Sequence, residues 1–122
     1  MPVHDQIAEL LSRPPTGDGA PTLAAVEETL TEGYAQALAL EAERWRLERS
    51  LGDVAREAHN GDAVEVAKKL AGLSERLTTA TGELARLRAL LARLHDRARQ
   101  LRGTHGSAQG SPPSALAEQA RG

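Results

Sequence analysis

The chain has 122 residues, enough for one domain, and a net charge of −2 that gives no general attraction for nucleic acid. It contains no cysteine, which excludes disulfides, thiolate metal sites and cysteine nucleophiles. With no Phe, one Tyr and one Trp it lacks the aromatic area of a mixed globular core, while Ala, Leu, Glu and Arg dominate, so the composition predicts an all-α chain held by a thin apolar seam.

The first residues, Met1 to Asp5, have neither the basic nor the apolar region of a secretory signal. No apolar run reaches membrane-spanning length, so a cytoplasmic protein is expected, without membrane contact. Lysine is confined to Lys68 and Lys69 while arginine is frequent, a bias expected of a GC-rich bacterial genome.

Residues 1–13 carry Val3, Ile7, Leu10 and Leu11 at helical spacing, which predicts a short amphipathic helix. So short a helix is marginal alone and has to dock, either on this chain's own helices or on a partner protein. Residues 14–22 form a Pro/Gly linker, in which Thr22 can cap the helix that follows.

Residues 23–102 read as one long antiparallel two-helix coiled-coil hairpin with its turn at 59–62. Steps of three and four along the second helix pick out Ala63, Val66, Leu70, Leu73, Leu77, Ala80, Leu84, Leu87, Leu91, Leu94, Ala98 and Leu101, an unbroken heptad seam. The same steps along the first helix give Leu23, Val26, Leu30, Gly33, Ala37, Leu40, Arg44, Leu47, Leu51, Val54 and Ala58. In the turn, Asn60-Gly61 suits a left-handed helix C-terminus, and Asp62 with Glu65 forms a capping box for the second helix.

Antiparallel helices pair residues whose numbers have a constant sum. With a sum of 124, every seam residue of the first helix meets one of the second, as Leu40 meets Leu84 and Leu47 meets Leu77. Arg44 then faces small Ala80, so that its stem can cover the seam while its guanidinium reaches water. Charge agrees with this pairing. Residues 22–60 hold eight acids and four arginines, and residues 62–102 hold five acids and nine bases. Glu43 and Glu57 are expected near Arg76 and Lys69, and Glu27 and Glu41 near His95, Arg102 and Arg88.

The second helix is expected to end near Arg102, leaving residues 103–122 as a flexible tail rich in Gly, Ser and Pro. Outside the seam, Tyr34, Leu38 and Trp45 line one flank of the first helix, beside small residues of the second: Ala71, Ser74, Thr78, Thr81, Ala85 and Ala92. Such a face suits a docked helix, and Tyr and Trp are favoured at interaction hot spots. It is expected either to receive the N-terminal helix or to bind another chain, a second copy included.

No chemistry competes with this reading. The four histidines are scattered, no His-x-x-x-His or Glu-x-x-His spacing occurs, and no phosphate-loop pattern is present. No Ser or Thr has a base at catalytic spacing. Catalytic, cofactor-binding and metal residues are therefore all read as none, with no small-molecule substrate and no specific nucleic acid.

Two resemblances offer other functions. The segment 55–65 resembles the coiled-coil tip of Gre-type transcript cleavage factors, with Asp62 and Glu65 at the matching acidic spacing after the turn. The residues between and after them differ, and no segment matches that family's globular C-terminal domain. The resemblance implies a transcription-associated factor whose tip enters an RNA polymerase channel. In size and hairpin shape the chain is also similar to secreted helical-hairpin substrates of type VII secretion. That family's Trp-x-Gly turn is replaced here by Asn60-Gly61-Asp62, with Trp45 well inside a helix. The reading the residues support first is a non-enzymatic protein-interaction or scaffolding module.

Overall fold

The computed structural model describes the backbone of residues 2–109 and the side chains of residues 2–103. Three helices make up the fold, α1 (Val3–Ser12), α2 (Leu23–Glu57) and α3 (Ala63–Gln109), and no strand occurs among the described residues. The chain divides into two compact units, one made of residues 1–32 and 90–122, the other of residues 33–89.

The second unit is the closed end of the hairpin. Its core is a run of seam residues: Ala37, Leu40 and Leu47 from α2 are buried with Ala80, Leu84 and Leu87 from α3. Two ion pairs set the register, one on either side of this seam. Arg88 meets Glu41 on one side, and Arg76 Nη2 lies 3.7 Å from Glu43 Oε2 on the other. Side chains lean toward the N-terminus of their own helix, and a slip by one heptad layer would carry one of these pairs out of reach. The register is therefore the one that faces Leu40 with Leu84. Arg44 is half-buried, and its Nε is screened from solvent without a hydrogen-bond partner. Toward the turn the seam thins: Leu51, Val54, Val66, Leu70 and Leu73 are only half-buried.

The turn differs from expectation in three ways. α2 ends at Glu57, so the turn starts at Ala58, where short bonds from Ala58 N to Ala55 O and from Asn60 N to Glu57 O close the last turn. Bonds of that kind tighten a helix end without a left-handed residue. Gly61 accordingly lies outside the left-handed region, which is occupied by Gly17 and Gly19 of the linker. What Gly61 supplies is space, since a Cβ there would stand 3.2 Å from Val66 Cγ2. The capping box is half formed: Asp62 Oδ1 accepts from Val64 N at 2.9 Å, and Val66 N begins the helix by donating to Asp62 O. Glu65 makes no return bond among the described residues. Nor does an ion pair join Glu57 to Lys69 among the described residues; both are exposed, Glu57 at the end of α2 and Lys69 in the second turn of α3.

The first unit is three-helical. α1 buries Ile7 and Leu10 in a core with Val26 and Leu30 of α2 and Leu91, Leu94, Ala98 and Leu101 of α3. Arg97 fastens the end of α1, its guanidinium donating to the carbonyls of Leu11 and Arg13 at 3.5 and 3.3 Å. Those carbonyls belong to the last turn of a helix, where no backbone donor follows. Thr22 caps α2 as its position predicts, accepting at Oγ1 from Ala25 N at 3.1 Å. α3 does not stop near Arg102 but continues to Gln109. No proline lies between Ala63 and Pro112, and glycine lowers helix propensity without breaking the bond ladder. The remainder of the expected tail, from residue 110, lies outside the described residues.

Candidate protein interface

Helical spacing decides which exposed residues share a flank. Leu38 and Trp45 lie three residues before and four after Glu41, so they stand on its face of α2. Ala85 and Thr81 hold the matching positions before Arg88 on α3. The Glu41–Arg88 ion pair thus joins two rows into one flank of the second unit. On α2 the outer row is Leu38, Trp45 and Gly52, at intervals of a heptad. On α3 it is Ala71, Thr78 and Ala85. None of the six is charged.

The opposite flank contrasts with it. Glu43 accepts there from Arg46 at 3.1 Å and faces Arg76, with Glu75, Glu83 and Arg86 nearby along α3. Glu43, Glu75, Arg76 and Glu83 line a groove of about 430 Å³ that is open to solvent. Such a surface is well hydrated and satisfies itself by pairing.

The flank of Leu38 and Trp45 leaves large apolar groups in water. Leu38 is 67% exposed, Trp45 63% and Tyr34 46%. A second open groove, about 410 Å³, runs beside Leu38, Glu41, Ala42, Trp45 and Arg46. Tyr34, Leu38 and Trp45 stay exposed, and the apolar stripe of α1 is buried within the first unit. Val64, at the start of α3, is another exposed large apolar side chain at 63% and had no place in the sequence reading. It continues the heptad row of Ala71, Thr78 and Ala85, so spacing alone identifies it.

Of the two tip residues, Asp62 has a structural task. Asp62 is engaged by Val64 N, while Glu65 is exposed. Among the described residues no three His, Asp or Glu side chains gather in a way that could hold a metal ion. No helix of the described residues is long and apolar enough to cross a membrane. In comparisons with known proteins the chain matches no family model, no curated protein and no solved structure.

Proposed function

We propose that the chain is a non-enzymatic, cytoplasmic protein-interaction module that docks another protein chain on the flank bearing Tyr34, Leu38 and Trp45. The observation behind this reading is the exposure of Leu38 and Trp45, one heptad apart, on a helix whose other large aliphatic side chains are buried or half-buried in the seam. Exposed apolar side chains that share one face mark interaction sites, and Trp is among the residues most enriched in those that dominate binding energy. Neither side chain is needed for the hairpin itself.

The test is Trp45→Ala in the full chain. Helicity by circular dichroism should be unchanged, while solution mass or recovery of a bound protein changes. Equal mass and equal recovery would remove the flank as the working surface.

A further inference from the structure

We propose that the occupant of this flank is a second copy of the chain, arranged so that α2 of one copy lies against α3 of the other. The inference rests on the interaction reading above and names its partner.

Height along the hairpin carries the argument. In the register set by the ion pairs, Ala37 stands opposite Leu87 and Arg44 opposite Ala80. Leu38 therefore lies at nearly the same height as Ala85, and Trp45 at nearly the same height as Thr78. The large side chains are on α2 and the small ones on α3, all of them exposed.

Consider a twofold axis parallel to the helices and between two such faces. It keeps height and exchanges left for right, so Leu38 falls on the partner's Ala85 and Trp45 on the partner's Thr78. Each large group meets a small one in both halves of an isologous contact. Every neighbouring pair of helices is then antiparallel, as in an up-down four-helix bundle. A twofold axis across the helices would instead place α2 on α2, large on large, and leave the small residues facing one another across a gap.

Charge selects the same arrangement. The inner row of this flank has Glu41 and Glu48 on α2 and Arg88 on α3. With α2 against α3, Glu41 of each copy lies at the same height difference from the other copy's Arg88 as from its own. With α2 against α2, acids of one copy face acids of the other, and like charges across an interface are unfavourable. The size is also sufficient. From residue 33 to 57, α2 is roughly 37 Å long, and two helices make a face about 20 Å wide, or ~750 Å² per copy. That is close to the ~800 Å² per partner of a standard stable interface.

The chain has no cysteine, so cysteines introduced singly report proximity without interference. One tagged chain carries Leu38→Cys and a differently tagged one carries Ala85→Cys. The expected result is a wild-type mass of twice 13.0 kDa in sedimentation, a disulfide between the two tagged chains, and none between two Leu38→Cys chains. Trp45→Ala should weaken dimerisation roughly thirtyfold or more at unchanged helicity. A disulfide between two Leu38→Cys chains instead would overturn the arrangement. A wild-type mass of 13.0 kDa up to the solubility limit would overturn the second copy as partner. In that case, recovery of a different protein that depends on Trp45 would leave the interaction reading standing, and loss of that dependence as well would remove both.

Discussion

Glu27 and Arg102 are 75 positions apart in sequence, and a single carboxylate oxygen of Glu27 accepts from both Nε and Nη2 of the arginine, at 3.3 and 3.1 Å. The contact ties the start of α2 to the end of α3 within the first unit. Both side chains are about half exposed, so most of the charge attraction is screened. A double-mutant cycle with Glu27→Gln and Arg102→Gln should give a coupling of about 0.3–1 kcal/mol, falling as salt is raised. A coupling near zero at low salt would mean that the apolar seam alone sets the register there.

Arg97 is expected to govern α1. Its two donated bonds end on carbonyls at the C-terminal end of α1, which no following helical turn can satisfy. Arg97→Ala should cost about 1–2 kcal/mol and loosen α1 from its own unit. Ile7→Ala removes a fully buried side chain and should cost about 2–5 kcal/mol. Hydrogen exchange at residues 3–12 is the measurement, and in both variants those amides should exchange faster.

The seam should weaken toward the turn. Leu84 and Leu87 are fully buried, whereas Leu70 and Leu73 are half-buried. Leu84→Ala should therefore cost about 2–5 kcal/mol, and Leu70→Ala clearly less than Leu84→Ala. Chemical denaturation followed by circular dichroism separates the two, and equal losses would contradict the burial gradient.

Two glycines of α3 can be improved. A Cβ at Gly72 or Gly82 would meet nothing within 4 Å, and both lie inside a helix. Gly72→Ala and Gly82→Ala should each stabilise by about 0.5–1 kcal/mol, read as a higher Tm. Gly61→Ala should bring no such gain, because its methyl would press on Val66.

Asp62 separates the cap from a function at the tip. Asparagine caps a helix about as well as aspartate, so Asp62→Asn should leave stability nearly unchanged, whereas Asp62→Ala should cost about 0.5–2 kcal/mol. If the tip acted in a polymerase channel, the asparagine variant would lose that activity while remaining folded. A transcript-cleavage assay with the two variants decides the matter.

The seam was legible because a heptad repeat is a long-range signal. The pairing of Glu41 with Arg88 followed from it, since the constant sum places charged neighbours as well as core residues. The turn was less legible. A glycine after asparagine suits both a left-handed cap and a close approach, and only the position of Val66 tells them apart. The end of α3 was misjudged because glycine and serine lower helix propensity without abolishing the ladder, so composition gave too early a boundary. The site of α1 was also hidden. Arg97 sits in an arginine-rich last stretch where favourable interaction with the helix dipole already explains a basic residue, and its reach to Leu11 depends on tertiary placement.

The exposed position of the single tryptophan has a spectroscopic consequence. Trp45 is already largely hydrated in the folded chain, so unfolding should shift its emission very little. Intrinsic fluorescence of the single chain is thus nearly blind to its folding and responsive to anything that covers the flank. A blue shift on raising concentration, or on adding another protein, would report docking directly and without a label.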